Sequence, residues 1–129
     1  MRILVVDDMS LTRRVLVNML KSLGYDTVFE SEDGEKAIQL LLNPNSKIDL
    51  LITDWLMPVI DGLTLTKLVR ANKQTQDLPI IMLTIIDDKE KIVEAYKYKV
   101  NDYILKPFTI DVIKAKVENV LKNHNIINK

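Results

Sequence analysis

The sequence predicts an α/β fold: a five-stranded parallel sheet with five helices packed on both of its faces. Three observations carry that expectation. Short apolar runs of strand length alternate five times with stretches whose apolar residues recur at three- and four-residue steps. The central runs are apolar throughout instead of alternating with polar residues, as in strands covered on both sides. Only short turn-forming segments separate them, which suits right-handed crossovers and shows no linker, repeat or low-complexity segment.

The first strand is residues 3–6, ILVV, and it stops at Asp7-Asp8. Ser10 is placed to cap the first helix, where Leu11, Val15 and Met19, with Leu16, Leu20 and Leu23, make an apolar face. Gly24 closes that helix as a left-handed residue. Residues 25–30 are more polar, which suits an edge strand. Asp33-Gly34 starts a second helix through Ala37, Ile38, Leu41 and Leu42, ended by the run NPNS at 43–46.

Strand three is residues 49–53, ending in Asp54, and helix three begins at Asp61 with Leu65, Leu68 and Val69 facing inward. Strand four is 79–83, ending at Thr84. Asp87 with Glu90 three residues on resembles a capping box for helix four, which runs on through Ile92, Ala95 and Tyr96. Strand five is 103–105, followed by Lys106-Pro107. Thr109 caps a last helix whose Ile110, Ile113, Val117, Val120 and Leu121 share a face. Residues 1–123 are expected to form one domain, and 124–129 a frayed tail that includes the lone His124.

Composition narrows the function classes. Eighteen basic and eighteen acidic residues cancel in a chain of 129, so no basic field draws it to nucleic acid or an anionic membrane. The absence of cysteine excludes disulfides, thiolate metal sites and a cysteine nucleophile. No run of about 18 apolar residues is available to span a bilayer. The start, MRILVVDD, turns acidic too early for a signal peptide, so a cytoplasmic monomer is expected.

The strand ends carry the chemistry. One edge of the sheet receives Asp7 and Asp8, Asp54, Thr84 and Lys106 from four separate strands. Taken singly, each has a plainer role: Asp54 and Asp8 as helix starters, Thr84 as a loop hydroxyl, Lys106 as a solvated cation. Taken together they need something positive, because two carboxylates about 4 Å apart repel by on the order of 4 kcal/mol at an effective dielectric of about 20. Lys106 supplies one charge, and a hard divalent cation with oxygen ligands, Mg²⁺, suits the remainder. A cation, a lysine and a hydroxyl around a carboxylate suit a phosphoryl group that the carboxylate can take up.

The residues VVDD, DWLMPVIDG, the Thr84 strand end and YILKPF, in this order and spacing, resemble the receiver domain of bacterial two-component response regulators over essentially the whole chain. DDMSLTRR, DWLMP and LKPFT are most similar to the single-domain chemotaxis (CheY-like) regulators. The strand order 2-1-3-4-5 is taken as a template from these flavodoxin-like proteins. The resemblance implies a phosphoacceptor and not an enzyme acting on external substrates. Asp54 would accept a phosphoryl group from a histidine kinase, and Asp7, Asp8, Asp54 and the backbone carbonyl of Leu56 would hold Mg²⁺. Lys106 and Thr84 would contact the phosphoryl group, Tyr103 would be a rotamer switch, and Lys106-Pro107 a cis bond. Helix four, strand five and helix five would face a partner such as a flagellar motor switch component.

Four features depart from that pattern. Ile85 stands where a small residue is usual, and Leu56 and Ile86 are apolar where the chemotaxis proteins carry polar groups. Lys99 replaces a helix-ending glycine, which predicts a positive φ. Tyr96 and Tyr98 make the partner face more aromatic. With no output domain in these 129 residues, output by protein binding is expected. Other readings are a phosphorelay intermediate, or the excised receiver of a larger regulator. A phosphatase would need a second acid at position 56, and a flavin module would be repelled by Asp7-Asp8.

Overall fold

Parallel pairing runs through the whole sheet of the computed structural model, which describes residues 1–124. The elements are β1 (Arg2–Val6), α1 (Ser10–Ser22), β2 (Thr27–Ser31), α2 (Gly34–Leu42) and β3 (Leu50–Thr53). They continue with α3 (Gly62–Ala71), β4 (Ile80–Thr84), α4 (Lys89–Lys97), β5 (Asp102–Leu105) and α5 (Ile110–Asn123). The strand order is β2-β1-β3-β4-β5, as the family resemblance implies, with the more polar β2 on an edge.

Because side chains alternate across a strand, each strand feeds two cores. Leu4, Val6, Leu51, Ile80, Met82 and Tyr103 point to the side covered by α2, α3 and α4. Ile3, Val5, Leu50, Ile52, Ile81, Leu83 and Ile104 point to the side covered by α1 and α5. A buried aliphatic side chain contributes about 1.5–3 kcal/mol, so the two layers hold the sheet in one register. No helix among the described residues is long and apolar enough to cross a membrane.

Several local expectations are corrected. The N-cap of α1 is Met9, not Ser10, and it offers no side-chain bond; the Met9 N–H is taken by Asp7 Oδ1 at 2.9 Å, which turns the chain one residue early. The cap of α4 is Asp88, not Asp87, accepting from the Glu90 N–H at 3.0 Å. Leu11 and Val15 are exposed; α1 buries Leu16 and Leu20, as expected, together with Val17. Leu68, Tyr96 and Ile110 are likewise exposed at positions read as apolar-face residues. Strands β2 and β4 run on to Ser31 and Thr84, and β5 begins at Asp102.

Other expectations hold. Asp33 accepts from the Lys36 N–H at 2.8 Å, Asp61 from Thr64 at 2.8 Å and Thr109 from Val112 at 3.3 Å, each capping its helix. Gly24 sits at φ +99° after α1, Lys99 at φ 66° after α4, and Lys106-Pro107 is cis. His124 is a further correction: expected in a frayed tail, it is the C-cap of α5 and bonds through its ring to the Val120 carbonyl and Asn101. Residues 125–129 lie outside the described residues.

Candidate functional site

The register brings the strand ends level. Val6 pairs with Thr53 across β1 and β3, so Asp7 and Asp54 follow side by side, and the Asp54 N–H donates to the Val6 carbonyl at 2.9 Å. On the other flank Thr84 pairs with Leu105, and the Lys106 N–H donates to the Thr84 carbonyl at 2.9 Å. Four neighbouring parallel strands, β1, β3, β4 and β5, thus bring Asp7, Asp54, Thr84 and Lys106 to one rim.

Lys106 closes the cluster. Its Nζ lies 2.8 Å from Asp54 Oδ2 and 3.1 Å from Asp7 Oδ2. Burial pulls the ammonium pKa down, but the hydrogen bonds to Asp54 and Asp7 outweigh it and hold the pKa above its ordinary value. Asp7 and Asp54 are buried and Asp8 is exposed. One carboxylate oxygen from each of the three lies within 4.8 Å of the others. One ammonium against three carboxylates leaves two negative charges uncompensated. Hard oxygen donors with that residual charge fit a small divalent cation.

Thr84 stands on the neighbouring strand end with its hydroxyl buried and without a hydrogen-bond partner among the described residues. An orphan hydroxyl beside a carboxylate cluster is a donor waiting for an acceptor. Tyr103 is not part of the cluster. Its ring packs in the core and its hydroxyl donates to the Ile86 carbonyl at 2.7 Å. Burial, then the negative charges of Asp54 and Asp87 and the neighbouring Tyr96, push the Tyr103 pKa up to about 12.

The loop after β3 divides by side-chain direction. Trp55 and Met57 are buried, while Leu56 is 50% exposed and its N–H donates to Asp54 Oδ1 at 3.2 Å. Ile85, directly after the strand that ends in Thr84, is 64% exposed, and Ile86 is half-buried against the core. Asp54 itself is buried, and the apolar side chains of Leu56 and Ile85 stand exposed on the segments that follow β3 and β4.

Two contributors escaped sequence reasoning. Gly62 reads only as a residue following the Asp61 cap, yet a Cβ there would stand 2.1 Å from the Asp54 carbonyl oxygen and 2.7 Å from Trp55 Cα. The glycine lets α3 start directly against the strand end. The Asp-Gly pair was a visible signal for a close approach, but not for what is approached. Arg13 was read only as part of DDMSLTRR, and it donates from Nη1 to the Asp7 carbonyl at 2.6 Å. Nothing in its spacing announces that bond.

The model of the response regulator receiver domain matches residues 3–118. The chain is 50% identical over 121 residues to a chemotaxis protein CheY homolog of Campylobacter jejuni, covering 94% of this chain and 92% of that one. Among solved structures, Vibrio cholerae chemotaxis protein CheY4 superposes with a TM-score of 0.84 at 31% identity, covering 93% of this chain and 98% of its own. The receiver domain of a sensor histidine kinase from Pseudomonas aeruginosa, solved with magnesium coordinated in its active-site cleft, superposes with a TM-score of 0.84. That match is at 29% identity and covers 94% of this chain and 97% of its own. With the sheet order, the acidic rim and its lysine in agreement with these matches, the chain belongs to the response regulator receiver domain family of two-component signalling.

Proposed function

We propose that this chain is a phosphorylation-driven switch, with Asp54 as phosphoacceptor for a histidine kinase. The single observation that carries the reading is the position of Lys106 Nζ, bonded to both Asp54 and Asp7 at the rim where Asp8 also converges. In the transfer, an Asp54 carboxylate oxygen attacks phosphorus. The phosphorus–nitrogen bond to the kinase histidine breaks, and its electron pair leaves with the imidazole, which takes a proton from solvent. Asp7, Asp8, Asp54 and the Leu56 carbonyl would hold Mg²⁺, which supplies charge neutralisation for the phosphoryl oxygens when bound. Lys106 would move from carboxylate to phosphoryl oxygen, and Thr84 would give its unpaired hydroxyl to another. Ile85 would narrow access to Asp54, and Leu56 and Ile86 offer no polar group to place an attacking water.

The switch follows from the same residues. Drawing Thr84 toward the phosphoryl group would disturb β4 and the segment after it, whose Ile86 carbonyl holds the Tyr103 hydroxyl. Tyr103 would then exchange between the described arrangement and another, changing the face formed by α4, β5 and α5. The output we propose is protein binding in chemotaxis, with a flagellar motor switch component as partner, supported by the similarity to chemotaxis proteins. A pull-down with and without a phosphoryl mimic, against that component and a phosphorelay histidine carrier, separates the two outputs.

Incubation with a small phosphodonor and Mg²⁺ should add the mass of one phosphoryl group to the chain and none to Asp54→Asn, read by intact mass. Identical masses would defeat the reading. The phosphoryl group should also leave this chain several-fold more slowly than it leaves a Leu56→Asn/Ile86→Glu variant, because apolar side chains cannot orient an attacking water. Radiolabel decay checks this, and equal rates in the two proteins would refute it.

A further inference from the structure

We infer that Arg13 is a positioning residue for the acidic pair and sets how tightly the rim holds Mg²⁺, an inference that rests on the reading of that rim as a cation site. Beyond Val6 the chain leaves the sheet. The Asp7 N–H still donates to the Ser31 carbonyl at 3.1 Å, and its carboxylate is divided between the Met9 N–H at 2.9 Å and Lys106 at 3.1 Å. The peptide joining Asp7 to Asp8 has one described anchor, the Arg13 guanidinium, whose Nη1 reaches the Asp7 carbonyl at 2.6 Å. Arg13 Nε is fixed in turn by Glu30 Oε1 on β2 at 3.0 Å, and Arg14 holds the other Glu30 oxygen.

This fork therefore links the edge strand to the plane of one peptide. That plane decides where the exposed Asp8 side chain leaves the backbone relative to Asp7. Without the fork the carbonyl is free to turn to water, and Asp8 loses its fixed direction toward Asp7 and Asp54. Partners one step removed from metal ligands commonly contribute about tenfold or more to metal affinity by fixing ligand direction.

Charge and position make opposite predictions here, which makes the inference sharp. Deleting a positive charge near three carboxylates would by itself strengthen cation binding. Deleting the positioning bond weakens it. Calorimetric titration with Mg²⁺ alone should show Arg13→Met binding about tenfold more weakly than the unaltered chain. Arg13→Lys, which keeps the charge and loses the fork, should also bind more weakly. Arg14→Met removes the same charge and leaves the Asp7 bond, and should bind as tightly or more tightly. Unchanged or tighter binding by Arg13→Met overturns the inference, as does equal weakening by Arg14→Met. Should Arg13→Met not fold, wild-type affinity in Arg13→Lys overturns it instead. No Mg²⁺ heat from the unaltered chain would overturn the underlying cation site, a different and recognisable result.

Discussion

Val59 is the plainest case of a residue at odds with its backbone. It is β-branched, stands at φ 68° in the loop after β3, and is 96% exposed, so no packing repays the strain. The left-handed region costs a side chain of this kind about 1–2 kcal/mol, and asparagine tolerates it far better. Val59→Asn should raise the melting temperature by a few degrees in a thermal scan, with a stability gain of about 1 kcal/mol. A lower melting temperature would mean that the exposed valine makes contacts its exposure denies. Tyr103 sets a different limit. The folded chain keeps its phenolic proton up to about pH 12, while the unfolded chain releases it near the ordinary value of 10.0. Its contribution is therefore complete below pH 10 and is lost as pH rises toward 12. Lys106, also raised, adds loss in the alkaline range. Tyr103→Phe should flatten the fall of urea-measured stability between about pH 10 and about pH 12 without abolishing it. An unaltered slope would exclude Tyr103 as its source.

At the scale of elements, helix and strand identity were legible because the apolar runs were bounded by residues that cap or turn the chain. Asp33, Asp61, Thr109 and Gly24 all cap where their chemistry suggests. The misplaced caps share a cause. At Asp7–Ser10 and Asp87–Asp88 several side chains were competent, and the choice fell to tertiary demands: the Asp7 carboxylate turns the Met9 N–H while serving Lys106. The exposed Leu11, Val15 and Leu68 have another origin, since periodicity defines an apolar stripe without saying how much of it the sheet can cover. Helix α3 depends on contact, not on pattern. Gly62→Ala should cost at least about 3 kcal/mol, because the added methyl meets main-chain atoms of Asp54 and Trp55 that cannot step aside. Chemical denaturation measures this; a loss below about 1 kcal/mol would show that the strand end can yield.

For the molecule as a whole, the five strand-end residues were readable because an open parallel sheet sends its chemistry to the carboxyl ends of its strands, whereas the sheet order came from the family resemblance and not from the residues. What could not be read is how those ends are steadied: the Arg13 fork, the Gly62 contact and the inward Tyr103 hydroxyl bond are products of three-dimensional proximity and leave no periodic trace in the chain.

The Lys106 bridge has a consequence in time. It joins residues 99 and 52 positions apart, and both partners precede it in the chain. A growing polypeptide that has emerged only as far as β4 owns all three acids but not their lysine. The complete rim thus arrives only after the last strand, and a half-made copy carries three carboxylates without the ammonium that bridges two of them.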